Sequence, residues 1–184
     1  MDAIPVHRTL ILRPFTSYLS KLGASMYASL RKCNLPTGSL DDPGLYISSL
    51  SLWDFSDSMA RREGIEDFGF LVGQDSGPNN LHPNFRQSLS AVPTLYRALV
   101  LTRKTLAAEA SRSQITISRS DADTIRFCHH TSFGPEHPGH YQMEWFALMG
   151  MVGIAGVSPL EYRSLRSTTT AQTAMKTGIN TNVA

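Results

Sequence analysis

The sequence predicts an α+β fold, with four to five helices and a small antiparallel sheet. Apolar residues recur every three or four positions over much of the first 110 residues, which is typical of amphipathic helices. Between residues 113 and 130 the period falls to two, which indicates a β-hairpin. Hydrophobic residues make up 41% of the 184 positions, so the chain can bury the core of one domain.

The first two helices are marked by residues at their ends. Pro14 stands in the first turn of the first helix, where its missing N–H costs nothing. The helix ends near Asn34. Ser48 or Ser49 caps the second helix, and Gly64 terminates it, as glycine commonly does just past a helix end.

Further helical segments follow in order. A short helix is predicted for Ile65 to Val72, and the Gly- and Pro-rich residues 73–83 form a loop. Residues 84–91 make a helical turn or two. Pro93-Thr94 opens a longer helix that reaches about residue 110. A last apolar helix covers residues 141–155.

The hairpin pairs residues 113–119 with residues 124–130. Ile115 and Ile117 share one face of the first strand, and Phe127 and His129 share one face of the second. After this unit and the last helix, residues 166–184 contain almost no large apolar side chain. We therefore expect one domain over residues 1–165 and a disordered tail over 166–184.

Composition excludes several classes of protein. The net charge of +2 is too small to indicate a nucleic-acid-binding face. Cys33 and Cys128 form neither a CxxC motif nor a disulfide framework, so a reducing, cytoplasmic location is expected. No apolar run reaches the roughly 18 residues that a membrane span needs. A phosphate-binding loop and a Gly-x-Ser-x-Gly motif are both missing from the sequence, so we expect no enzyme.

Five blocks of sequence in a fixed order resemble a known family. They are Leu12-Arg13-Pro14, Asn34-Leu35-Pro36, residues 61–73 (RREGIEDFGFLVG), Pro93-Thr94-Leu95 and Glu144-Trp145. Together they resemble the N-terminal, arabinose-binding-type sensor domain of AraC/XylS-family transcriptional regulators. The resemblance runs from about residue 9 to residue 159 and includes no catalytic motif.

The resemblance implies a function without catalysis. It implies an effector-sensing, dimerisation-type regulatory domain that binds an unknown small-molecule effector and needs no cofactor. The chain would pair with itself or with a full-length relative. Only 25 residues follow Pro159, which leaves no room for the family's helix-turn-helix module. We therefore expect a truncated regulator that makes no direct DNA contact.

The junction between the hairpin and the last helix is the candidate ligand site. Phe127, His129, Tyr141 and Trp145 could supply the apolar walls and few polar groups that a ligand pocket needs.

A histidine cluster supports an alternative function. Imidazoles of the second hairpin strand and the following loop could bind haem iron or another metal in a haem protein, a metal protein or an enzyme. The alternative set is His129, His130, His137 and His140. Its spacing matches no metal-binding motif, and polar loop residues are the simpler interpretation.

Overall fold

The computed structural model describes residues 4–38, 42, 44–77, 83–119, 124–131, 133–157, 165–170 and 174–180. Within them the protein is α+β, as predicted, with seven α-helices rather than four to five. In chain order the elements are β1 (Val6–Arg8), a 3-10 helix (Thr9–Ile11), α1 (Leu12–Lys21), α2 (Tyr27–Lys32), β2 (Tyr46–Ser48), α3 (Ser49–Glu63), α4 (Phe68–Ser76), α5 (Pro83–Ser90), α6 (Leu95–Glu109), β3 (Gln114–Arg119), β4 (Thr124–His130), α7 (His140–Val157), β5 (Leu165–Thr170) and β6 (Ala174–Asn180).

The higher helix count has a local cause at the first helix. The stripe predicted as one helix is split into α1 and α2 at Gly23, whose φ is +70°. A left-handed backbone ends an α-helix, and glycine adopts it without steric cost. The apolar stripe resumes in α2, so periodicity alone did not show the break.

The predicted ends of α3 and α6 are confirmed. The Ser48 hydroxyl accepts a hydrogen bond from the Ser51 N–H at 3.5 Å, and Gly64 closes α3 with φ of +66°. The Thr94 hydroxyl accepts from the Arg97 N–H at 3.3 Å at the start of α6. Side-chain oxygens in these positions satisfy amide groups that have no partner within the helix.

Two antiparallel sheets frame the site. In the first, β1 pairs with β2 and His7 lies opposite Ile47. In the second, the strand order is β3-β4-β6-β5. The predicted hairpin is its β3–β4 pair, with Ile115 opposite His129 and Ile117 opposite Phe127. Strands β5 and β6 lie almost wholly in the segment expected to be a tail, while the domain boundaries themselves stay a prediction.

The buried side chains form two clusters. The first lies among α1, α2, α3, α4 and the start of α7, and includes Leu12, Phe15, Leu52, Phe55 and Phe68. The second lies among α5, α6, the β3–β4 hairpin and the second half of α7, and comprises Leu89, Ala98, Ile115, Phe127, Met151 and Ile154. Helix α7 therefore contributes to both clusters. In the part of the chain that the structure describes, no helix is long and apolar enough to cross a membrane.

Close packing of α4 on α7 depends on two glycines. A β-carbon built on Gly69 would lie 1.8 Å from the carbonyl oxygen of Gln142, and one built on Gly73 would lie 2.5 Å from the β-carbon of Met149. Real side chains do not approach so closely, so the two backbones can meet only where these positions lack a β-carbon. This contact fixes α7 against the first cluster.

Candidate functional site: a cavity among β1, α6, β4 and α7

The two clusters and the two sheets surround a cavity of about 190 Å³. Strand β1 and the 3-10 helix form one wall, α6 forms a second, and β4 and α7 form the others. Trp53 of α3 and Phe85 of α5 complete the lining. The cavity lies where the hairpin and the last helix meet.

Most of the lining is apolar. Helix α7 presents a continuous strip of side chains along the cavity, and the 3-10 helix with the start of α1 lies across from it. The apolar lining residues include Leu10, Ile11, Pro14, Trp53, Phe85, Leu106, Met143, Phe146, Met151 and Ile154. Apolar walls with a few polar groups are typical of sites for small molecules and cofactors.

Several polar side chains in the lining have their hydrogen bonds satisfied elsewhere. The hydroxyls of Thr102 and Thr105 donate to the carbonyls of Ala98 and Leu101 in their own helix, at 2.8 and 3.1 Å. The Thr131 hydroxyl donates to a backbone carbonyl of its own loop at 2.8 Å. Each of these three hydroxyl groups therefore donates its proton to a backbone carbonyl and not to a group in the cavity.

Arg8 marks the solvent side of the cavity. Its Nε donates to the carbonyl oxygen of Ala108 at 3.0 Å and lies 3.5 Å from a carboxylate oxygen of Glu109. Its guanidinium lies over the ring of Tyr46, 5.2 Å from the centroid. Arg8 and Glu109, the cation and the carboxylate among the described lining residues, are both partly exposed and lie at the solvent edge.

His7 is the polar group of the β1 wall. It is 8% exposed, and its Nδ1 lies 2.7 Å from the hydroxyl oxygen of Ser49. Burial, with a smaller contribution from the nearby His129, lowers the pKa of His7 to about 4. The ring is therefore neutral at pH 7, and its Nδ1 is engaged by the Ser49 hydroxyl.

His129 is the polar group of the β4 wall. Burial, and secondarily His130, lowers its pKa to about 4, so this ring is neutral as well. The cavity thus holds two neutral imidazoles from two different strands. Neutral imidazole nitrogen is the form that binds metal ions.

The structure places the four candidate ligand residues in different surroundings. His129 lines the cavity, whereas Phe127 is buried in the second cluster. Tyr141 is 47% exposed, and its hydroxyl donates to Asp67 at 2.7 Å. Trp145 packs edge-on against Phe70, with 5.6 Å between ring centroids. These four residues do not line one cavity, and their contact with a ligand stays a prediction.

Two of the four histidines of the alternative set lie together: the rings of His137 and His140 are 5.4 and 5.7 Å from that of Trp53, between centroids. His130 lies on the exposed face of β4, 3.4 Å from the Thr116 hydroxyl. The Nε2 atoms of His137 and His140 face Asp54 at 3.4 Å and Glu144 at 3.3 Å. No group of three or more His, Cys, Asp or Glu side chains that could hold a metal ion occurs among the described residues.

Sequence reasoning missed His7 as a site residue. It precedes the first predicted helix, and β1 is too short for alternation to show. The segment Ile4–Ile11 is largely apolar, which favours burial, but Arg8 follows His7 directly and weakens that indication. Its partner His129 lies 122 positions away, so only the fold reveals the pair.

Three comparisons place this geometry among known proteins. No family model and no curated protein matches the chain. Solved structures do match over nearly its whole length. An H-NOX protein from S. oneidensis in the Fe(II)NO ligation state has a TM-score of 0.65 at 14% identity, covering 94% of this chain and 98% of that one. The Fe(II) unliganded H-NOX protein from K. algicida has a TM-score of 0.61 at 12% identity, covering 96% and 97%.

The resemblance to AraC-type sensor domains is therefore wrong, together with the transcription-regulator function that it implied. The predictions of an AraC-type effector and of pairing with a full-length regulator are wrong for the same reason. The five blocks include helix boundaries and close contacts: Gly64 ends α3, Thr94 caps α6 and Gly69 meets α7. Such features recur wherever helices begin, end or cross, so they do not identify a family. Over more than nine-tenths of its length, the chain has the fold of H-NOX domains.

Proposed function

We propose that this chain is a haem-binding domain, with haem held at the cavity between His7 and His129. The two neutral imidazoles that line an apolar cavity are the observation that carries the proposal. Support comes from the solved structures of the same fold, whose iron is described in the Fe(II)NO and Fe(II) unliganded states.

The donor set fits haem. Histidine nitrogen is a common axial ligand of haem iron, and it must be neutral to coordinate. Burial keeps both rings neutral at pH 7. The apolar side chains of α7 match the hydrophobic faces of a porphyrin ring. Arg8, at the solvent edge, is a cation that suits the carboxylate groups of the porphyrin. His7 and His129 are the residues that would hold the iron.

The cavity must widen to admit a group of that size. Its volume of about 190 Å³ lies below the roughly 300–1,000 Å³ of typical ligand pockets. Helix α5 is the wall with little buried surface among the described residues. It contributes only Phe85 to the lining, and Leu89 is its one fully buried residue among those described. The α4–α7 contact, by contrast, is held by backbone packing.

Haem bound here would supply an iron able to bind a small gas, and His7 and His129 are the side chains that would hold it. The protein itself would orient the imidazoles and exclude water with the side chains of α7 and Trp53. It also confines the charged side chains of Arg8 and Glu109 to the solvent edge of the cavity. We propose no catalytic role for these side chains. We also propose a cytoplasmic location, because both cysteines of the chain are free thiols.

Titration of the purified chain with hemin, followed by visible absorption, tests the proposal. We expect saturable binding of one haem per chain, with a shifted Soret band, and a further shift when the reduced complex is exposed to CO. His130→Ala is the matched control, because this ring is next to His129 but faces solvent. Binding that never saturates, or that survives loss of both His7 and His129 unchanged, would refute the proposal.

A further inference from the structure

We propose that the cavity, at its present size, is a binding site for one small neutral aromatic molecule: a single ring that carries one hydrogen-bonding group, as phenol does. The inference goes beyond the proposed haem function and does not rest on it, because it concerns the haem-free chain. It follows from the volume of the cavity, from the open space beside Gly150 of α7, and from the distribution of the polar groups in the lining.

The volume suits one aromatic ring. The cavity measures about 190 Å³. An engineered apolar cavity of about 150 Å³ in another protein stays dry and binds benzene, so the space here is large enough for a six-membered ring with a small substituent. A water molecule would need about two to four polar partners, which the apolar side chains of α7 do not provide. Transfer of an apolar ring from water into this space is favourable.

Gly150 shows independently that side chains leave this space open. It lies on the face of α7 that lines the cavity, and a β-carbon built on it would meet no atom of another element within 4 Å. The same β-carbon on Gly73 of α4 would lie 2.5 Å from that of Met149. Helix α7 is therefore closely packed against α4 and has a gap on the side of the cavity, where Ala147 and Gly150 are its small residues.

The polar groups of the lining determine the class of ligand. The imidazoles of His7 and His129 come from the two strands, whereas the α7 residues of the lining are all apolar. A neutral imidazole has one N–H donor and one acceptor nitrogen. The Nδ1 of His7 is engaged by the Ser49 hydroxyl, and the threonine hydroxyls of the lining donate to backbone carbonyls. We therefore assign the polar contact with the ligand to His129.

The same distribution argues against other classes of ligand. A sugar would leave most of its hydroxyl groups without partners against α7, and a buried hydroxyl without a hydrogen bond is unfavourable. Arg8 and Glu109, the charged side chains among the described lining residues, lie 3.5 Å apart at the solvent edge and neutralise each other. A charged ligand would lose its hydration without gaining a counter-charge. A neutral ring with one polar group meets both conditions.

Isothermal titration calorimetry of the purified, haem-free chain with phenol and with benzene tests the proposal. We expect one site per chain for each molecule. His129→Leu should weaken phenol binding about 2-fold to 10-fold, which corresponds to the loss of one neutral hydrogen bond, and should leave benzene binding unchanged. His130→Ala is the matched control, because it removes the neighbouring ring on the solvent face and should bind both molecules as the wild type does.

Gly150→Leu tests the location of the site. Its side chain would occupy the open space, so binding of both molecules should weaken at least 10-fold while circular dichroism shows a folded chain. Ala107→Leu, which enlarges an exposed side chain of α6, should leave both affinities unchanged. Gly150→Ala adds only one methyl group and should weaken binding less, and it provides the same test if the leucine variant does not fold.

The outcomes separate this inference from the haem proposal. A wild-type chain that binds neither molecule saturably, or a folded Gly150→Leu chain that binds both as tightly as the wild type, would overturn the site. Unchanged phenol binding in His129→Leu would overturn the assigned polar contact. If haem uses the same cavity, phenol at ten times its dissociation constant should weaken hemin binding about 10-fold. A chain that binds phenol but not hemin would overturn the haem function alone.

Discussion

Gly69 provides a sharp test of the packing that fixes α7 beside the cavity. In Gly69→Ala the new methyl carbon would lie 1.8 Å from the carbonyl oxygen of Gln142 and 2.6 Å from its carbonyl carbon. Carbon–carbon contacts are most favourable at about 3.5–4.0 Å, so α4 and α7 must separate by roughly 1–2 Å. The obstacle is backbone, which cannot rotate away as a side chain can.

The separation also strains two hydrogen bonds. The side-chain oxygen of Gln142 accepts from the Gly69 N–H at 2.7 Å, and its amide nitrogen donates to the Glu66 carbonyl at 2.8 Å. Overpacking costs about 1–3 kcal/mol. Loss of one hydrogen bond adds about 1 kcal/mol. Alanine has a higher helix propensity than glycine, which adds about 1 kcal/mol to the free energy of unfolding. The net expectation is a loss of about 2 kcal/mol in the free energy of unfolding, from these three ranges.

Urea denaturation followed by circular dichroism measures this loss. With a denaturant slope of about 2 kcal/mol per molar, the midpoint of Gly69→Ala should fall by about 1 M. Gly150→Ala is the matched control, because Gly150 is also inside a helix but a β-carbon there meets no atom within 4 Å. This control should gain up to about 1 kcal/mol. If Gly69→Ala is as stable as the wild type, the close approach of the two helices is wrong.

Three further predictions concern pH, backbone strain and thiol reactivity. The pKa of His7 and of His129 is about 4 in the folded chain against an ordinary 6.5, so the unfolded chain takes up protons first as the pH falls. Between pH 6.5 and pH 5 the haem-free chain should lose about 1.5 kcal/mol of stability per histidine, measured by urea denaturation, and a flat profile would contradict this. Gly64→Ala, at φ of +66°, should lower Tm by about 2–4 °C through strain of about 1 kcal/mol, and Gly64→Asn should lower it less. Burial, then Asp54, raises the pKa of the Cys33 thiol, so Asp54→Asn should speed its alkylation by iodoacetamide at pH 8; peptide mapping that shows an unchanged rate would count against this.

Local signals allowed much of the fold to be predicted. The boundaries of α3 and α6 follow from side chains and glycines within a few positions of each helix end, so Ser48, Gly64 and Thr94 could be recognised without tertiary information. The same holds for the alternation of the β3–β4 hairpin. Strand β1 could not be found in this way, because three residues show no clear period and their pairing with β2 spans about 40 positions.

The candidate site depends on contacts that no local pattern shows. His129 could be selected because it lies at the end of a predicted strand beside an apolar helix. His7 could not, because its burial comes from β2, α6 and Ser49, which are distant in sequence. The assignment to AraC-type sensor domains was wrong for a related reason. Its motifs mark helix ends and helix crossings, and such local features occur in many unrelated folds.

The position of Trp53 has a practical consequence. It lines the cavity, and its ring lies 5.0 Å from Phe133 and 5.4 Å from His137, measured between centroids. The second tryptophan of the chain, Trp145, packs on Phe70 and does not line the cavity. A chain with Trp145→Phe would therefore carry a single indole at the wall of the site. The fluorescence of that indole would report occupancy directly, since a coloured group in the cavity would quench its emission by energy transfer.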